Sequence, residues 1–138
     1  MSLMYLLDTD IILEPIKEKP NKRVVERIEF CVDHIAIPSG TVYKLIHDVY
    51  LLPESNKRVK TLDYIESVLI KFPILSYNEE AACWYGKEVA RLQSIGKTPE
   101  FIDAQIAAIA KVHHLILVTC NIDDFKYFDG LILENWFE

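Results

Sequence analysis

The clearest signal along the chain is a set of short apolar runs that end abruptly in polar residues. "MYLLD" (4–8), "HIAIPS" (34–39) and "LILVT" (115–119) read as strands buried on both faces, with "LILEN" (131–135) a further one and "PILSY" (73–77) a shorter candidate. Between them the apolar period lengthens to that of helices. "TDIILEPIK" (9–17) reads as a short helix curtailed by Pro15, and "NKRVVERIEFC" (21–31) carries Val24, Val25, Ile28 and Cys31 at helical spacing. A Ser-Gly turn at 39–40 is expected to lead into a helix over 41–52, stopped by Pro53. "NKRVKTLDYIESVLIKF" (56–72) repeats the helical period. "NEEAACWYGKEVARLQSIG" (78–96) starts on a capping Asn with early acids and ends on Gly. "TPEFIDAQIAAIAKVHH" (98–114) predicts a helix with Thr98 as N-cap, Pro99 at its first position and Glu100 in its first turn.

Strands alternating with helices predict an α/β fold with a parallel sheet covered on both faces. The 138 residues, with no repeat, low-complexity tract or linker, predict a single domain over 1–138, long enough to bury about two-thirds of its unfolded surface. Met4 opens the first strand so directly that "MSL" is expected to be a leader from cloning. No apolar run approaches the ~18 residues of a membrane span and no signal peptide is visible, so the cytoplasm is the expected location. A hydrophobic content of 51% excludes a disordered chain, and a net charge of −6 argues against simple phosphate-neutralising nucleic-acid binding. It leaves metal-dependent nuclease chemistry open, because such sites are themselves acidic. Cys31, Cys83 and Cys120 lack disulfide or zinc spacing and are expected to be reduced, mostly buried thiols. His113, His114 and Cys120 could be imagined as ligands, but the histidines are better read as closing a helix.

In such sheets ligands collect at the carboxyl ends of the strands. That rule selects Asp8 at the end of the first strand, with Asn121 and Asp124 two and five residues after "LILVT". Asp103 lies early in the preceding helix, sharing a face with the small residues Ala107 and Ala110. Carboxylates gathered at one edge repel unless a cation joins them, and hard oxygen ligands select Mg²⁺ or Mn²⁺. Each acid also has a plainer reading: Asp8 as an N-cap, Asp103 as a solvated helix residue, Asp124 as a turn former. A nucleotide-binding doubly wound domain is disfavoured, since no glycine-rich phosphate loop follows the first strand in a chain with four glycines.

Taken together, "YLLDTDIIL", "IPSGTVYKL", "FIDAQIAAIAKVHHLILVTCNIDDF" and "LILENW" resemble the PIN-domain family, especially the VapC-type ribonuclease toxins of toxin–antitoxin pairs. The resemblance spans nearly the whole chain, is most specific over 101–125 and weakest over about 53–97. It implies a three-layer α/β/α domain, often dimeric, with an acidic pocket that binds Mg²⁺ or Mn²⁺ and cleaves RNA, and an antitoxin protein as partner. By position it implies that Asp8, Asp103 and Asp124 are the catalytic, metal-binding acids. Asp10 stands where the family commonly has Asn, and Thr41, Thr119 and Asn121 are supporting pocket residues.

One position departs. The family's second acid, a Glu on the helix after the second strand, is replaced by Lys44, and Asp48 stands where a Gly is usual. Lys44 could pair with Asp8 or Asp103 in the metal's place, bind the scissile phosphate, or form an exposed pair with Asp48. Asp48, one turn on, could itself reach back with a carboxylate. The expectation is a Mg²⁺- or Mn²⁺-dependent endoribonuclease whose metal binding is weak or absent. The alternative is an inactive PIN module that binds a protein partner or RNA without cleaving it.

Overall fold

The structure, a computed structural model, describes residues 2–138; Met1, the first residue of the expected leader, lies outside the described residues. Its elements run β1 (Tyr5–Leu7), α1 (Thr9–Leu13), α2 (Lys22–Phe30), β2 (Ile35–Pro38), α3 (Ser39–Leu51), α4 (Asn56–Lys71), β3 (Ile74–Leu75) and α5 (Glu79–Ser94). They continue with α6 (Phe101–Val112), β4 (Ile116–Val118), α7 (Ile122–Phe125) and β5 (Leu133–Glu134). Short 3₁₀ turns at Glu14–Ile16 and Val32–His34 extend α1 and lead into β2.

All five strands are parallel, in the order β3-β2-β1-β4-β5. The central strand pairs Leu6 with Ala36 on one side and with Leu117 on the other. The chain first grows outward from β1 through β2 to β3, then returns to build β4 and β5 on the opposite side. The order therefore reverses between β1 and β4, and at such a switch point the connections diverge and leave a crevice at the strand ends.

Alternation along the strands sorts side chains into two cores. Leu6, Ala36 and Leu117 join Ala104, Ile106 and Ile109 of α6 on one face. Leu7, Ile35, Ile37 and Val118 meet Ile11, Leu45, Val49 and Ile65 from the helices of the other. The result is the expected three-layer α/β/α arrangement around a parallel sheet. Burial on both faces is what made the strands legible as unbroken apolar runs.

Three local expectations are corrected. Ser39 and Gly40 do not form a turn. Extended Pro38 caps α3 directly, and Ser39 and Gly40 are its first residues. Gly40 is needed because α6 packs there; a Cβ would come within 2.7 Å of Ile106 Cγ1. The cap of α6 is Glu100, not Thr98: its Oε2 accepts from Asp103 N at 2.7 Å and the helix starts at Phe101. The cysteines are free thiols, but only Cys31 is buried; Cys83 and Cys120 are exposed, the latter on the loop that leaves β4. His113 and His114 do close α6, the second in the left-handed region at φ 57°.

Candidate active site at the carboxyl ends of β1 and β4

Asp8 is the first residue beyond β1, and the backbone fixes it. Its N–H donates to Val118 O at 3.0 Å, joining it to β4, and its carboxylate caps α1 by accepting from Thr9 N at 2.9 Å. The second carboxylate oxygen accepts from Thr119 Oγ1 at 3.1 Å, and that hydroxyl in turn accepts from Asn121 N at 3.0 Å. Asp8 thus does both things the sequence allowed: it caps a helix and faces the crevice. Its side chain is 1% exposed.

From the α3 side, Thr41 Oγ1 donates to Leu7 O at 3.1 Å and pins the helix to the end of β1. One turn further on, the Lys44 ammonium enters the crevice. Its Nζ lies 2.6 Å from Asp103 Oδ1 and 3.5 Å from Asp8 Oδ1. Asp103 projects from the first turn of α6, where the small faces of Ala107 and Ala110 let that helix pack into the interior.

One ammonium shared by two carboxylates leaves both acids under-compensated. Burial pushes the Asp8 carboxyl above its usual range even though Lys44 pulls the other way. Burial by itself would depress the Lys44 ammonium, but Asp8 and Asp103 outweigh it and hold Lys44 protonated above its ordinary value. A unit charge at ~4 Å and an effective dielectric near 20 is worth about 4 kcal/mol, so the Lys44 ammonium weighs on this site far more than a neutral side chain there would.

The other expected residues divide. Asp10 accepts from Ile11 N at 2.9 Å and from Cys120 N at 2.7 Å, binding α1 to the loop after β4 rather than facing Lys44. Asn121 is the exposed N-cap residue of α7. Asp124, in the first turn of α7, is exposed and shares with Asp103 and Glu100 a cavity of about 380 Å³. Its charge is near enough to add to the upward push on Asp103, which burial dominates. Asp48 does not reach the acids. It is 61% exposed, lies 3.3 Å from His47 Nδ1 and lines a separate groove beside Leu45 and Leu52. Reading the sequence missed Glu100 as the residue that orients the first turn around Asp103, because Thr98-Pro99 offers a more usual start signal.

Carboxylate oxygens suit Mg²⁺ or Mn²⁺. Yet among the described residues no three His, Cys, Asp or Glu side chains gather closely enough to hold an ion. The space between Asp8 and Asp103 is filled by Lys44 Nζ. With Lys44 so placed, these residues do not fit a resident divalent cation.

A parallel sheet of this order, with acids at its switch point and a small-residue helix behind them, defines a PIN-type domain. The PIN-domain family model matches residues 5–131, and the chain belongs to that family. Within it the likeness is to VapC-type ribonucleases, which are generally dependent on divalent metals. The tRNA(fMet)-specific endonuclease VapC of Shigella flexneri is 33% identical over 134 residues, covering 97% of this chain and 98% of the relative. Toxin FitB of Neisseria gonorrhoeae is 31% identical over 137 residues, covering 96% and 99%. The crystal structure of FitAcB from Neisseria gonorrhoeae superimposes with a TM-score of 0.89 at 31% identity, covering 98% of this chain and 99% of that one.

Proposed function

We propose that this chain, as a single PIN unit, is the toxin of a VapC-type pair: an endoribonuclease that hydrolyses RNA phosphodiester bonds from the crevice between β1 and β4. The observation that carries the proposal is the meeting of Asp8 and Asp103 at the switch point of a PIN sheet, around a cation supplied by Lys44. Asp103, beside the open cavity, is the carboxylate placed to take a proton from an attacking water. Lys44 offers positive charge to the phosphate oxygens. Asp8, held by Thr9 and Thr119, keeps Lys44 oriented. Asp124 lines the cavity beside Asp103, and Asn121 is the N-cap residue of the same short helix as Asp124, where both would meet the RNA chain. With Lys44 paired to both acids and no fitted metal site beside it, cleavage by the wild type is expected to be slow.

A protein antitoxin is the proposed partner. The groove lined by Leu13, Ile16, Leu45, Val49, Leu52 and Ile65, about 1010 Å³ in volume, suits the apolar face of a partner segment. A homodimer is the proposed assembly and the cytoplasm the proposed place of action; no helix among the described residues is long and apolar enough to cross a membrane. The deciding experiment is an RNA cleavage assay in Mg²⁺ and in Mn²⁺ with wild type and Asp103→Asn. Cleavage by the wild type that disappears in Asp103→Asn is expected; undiminished cleavage by the variant would remove Asp103 from the reaction.

The ion pair to Asp103 also favours a second reading, a PIN module that binds its partner or RNA without cutting. Retained RNA binding with no cleavage by the wild type in either metal would select it.

A further inference from the structure

We propose that Lys44 is the resident cation of this pocket. Its ammonium occupies the position that a divalent ion would need between Asp8 and Asp103, and the wild-type protein keeps its site formed without Mg²⁺ or Mn²⁺. This rests on the reading of the crevice as the PIN pocket and adds what holds it together.

Four observations converge. Asp8 is fully buried, and a buried carboxylate needs a countercharge. Among the described residues, Lys44 is the one cation within ion-pair distance of Asp8 or of Asp103. The remaining partners of Asp8 are neutral donors, Thr9 N and Thr119 Oγ1.

Among the described residues no third acid closes on the pair to make a metal cage. Asp10 is tied by backbone N–H groups to α1 and the loop after β4, Asp48 faces the groove, Glu100 caps Asp103 N, and Asp124 stands exposed on α7 across the cavity.

The lysine is also held from behind. Thr41 ties α3 to β1, and Gly40 lets α3 close against Ile106 of α6, the helix that carries Asp103. The spacing of α3 and α6 thereby sets the Lys44–Asp103 contact.

Finally, the acids are largely out of solvent and the lysine partly so: the Lys44 side chain is 25% exposed, against 1% for Asp8 and 12% for Asp103. A metal would have to expel a half-buried cation that is paired twice, and would find two carboxylates in its place.

The test uses the full chain and the metals alone. Thermal unfolding and calorimetric titration with MnCl₂ and MgCl₂ would be run on wild type, Lys44→Glu and Lys44→Met. The wild type should show the same midpoint in EDTA and in millimolar Mn²⁺, since a ligand that does not bind cannot shift it. Lys44→Glu, with three carboxylates facing one another, should be less stable in EDTA and recover in Mn²⁺. Its affinity should exceed that of the wild type by ~100-fold or more. If Lys44→Glu does not fold without metal, Lys44→Met supplies the comparison: loss of stability in EDTA, partly restored by Mn²⁺. Micromolar Mn²⁺ binding by the wild type would overturn the proposal, as would folded Lys44 variants that gain no affinity. RNA cleavage is read separately. Metal-loaded Lys44→Glu that binds Mn²⁺ but cuts no RNA would count against the ribonuclease reading and leave the resident cation intact.

Discussion

Gly40 of α3 backs onto Ile106 of α6 so closely that a Cβ at position 40 would stand 2.7 Å from Ile106 Cγ1 and 3.3 Å from Ile102 Cγ2. Ile106 is fully buried and has no free direction in which to give way. Gly40→Ala should therefore push the two helices apart and cost about 1–3 kcal/mol, read as a lower urea midpoint with an unchanged slope. Because Lys44 and Asp103 sit on these same two helices, the substitution should also loosen their contact. An alanine variant as stable as the wild type would show that α3 and α6 are not in the contact described.

Thr119 is the link between Asp8 and the loop after β4. Its hydroxyl donates to Asp8 Oδ2 and accepts from Asn121 N, and the residue is fully buried. Thr119→Val keeps the shape and removes both bonds, leaving a buried carboxylate oxygen and a backbone N–H each short of a partner. The expected loss is about 1–3 kcal/mol. Thr119→Ser keeps the hydroxyl and should lose less. Equal losses in the two variants by chemical denaturation would mean that the methyl, rather than the hydroxyl, is what the site uses.

These contacts show which parts of the molecule were legible from the sequence. Strands β1, β2 and β4 were, because burial on both faces writes them as apolar runs, and the gathering of ligands at strand ends then picked out Asp8, while Thr119 came only through the family resemblance. Asp103 was legible through the alanines on its face, which mark a helix packed into the interior. The direction of Asp48 was not. Four residues along a helix turn a side chain by about 40° from its predecessor, enough here to send Asp48 to the groove while Lys44 enters the crevice. The Lys44 ion pairs depend on how far apart α3 and α6 stand, and that distance is set by Gly40, which looked like half of a turn. Capping misled in the same way: Thr98-Pro99 carries the stronger local signal, yet Glu100 makes the bond.

Glu88 of α5, invisible to motif reasoning, anchors the chain beyond α7. Arg91 grips its carboxylate through Nε at 2.7 Å and Nη2 at 2.9 Å, the Asp129 N–H donates to it, and Arg91 Nη2 also reaches Tyr127 O at 2.8 Å. The hydrogen-bonded guanidinium holds the Glu88 carboxyl below its ordinary value of 4.5, more strongly than burial raises it. A carboxyl lowered in the folded state contributes stability that is present above the unfolded value and disappears as pH falls through the folded one. Urea midpoints should therefore drop as pH is taken below 4.5, and drop less steeply in Glu88→Gln. Parallel pH profiles for the two proteins would rule out Glu88 as a source of acid sensitivity.

Tyr64 of α4 ties the far end of α1 to the helical layer, its hydroxyl donating to Ile12 O at 2.6 Å. Burial pushes this phenol from 10.0 up to about 12. A group whose folded value is raised lends stability that is complete below its unfolded value and is lost as pH climbs through the folded one. Ultraviolet titration should accordingly find Tyr64 still protonated at pH values where ordinary tyrosines have ionised. The difference from Tyr64→Phe isolates its share of the signal among seven tyrosines. The same variant leaves the Ile12 carbonyl without this donor and should cost about 1 kcal/mol at neutral pH. That deficit should shrink as pH approaches 12, because the wild type then loses the bond the variant never had. A gap between wild type and variant that stays constant through alkaline pH would show that the hydroxyl packs beside Ile12 without bonding to it.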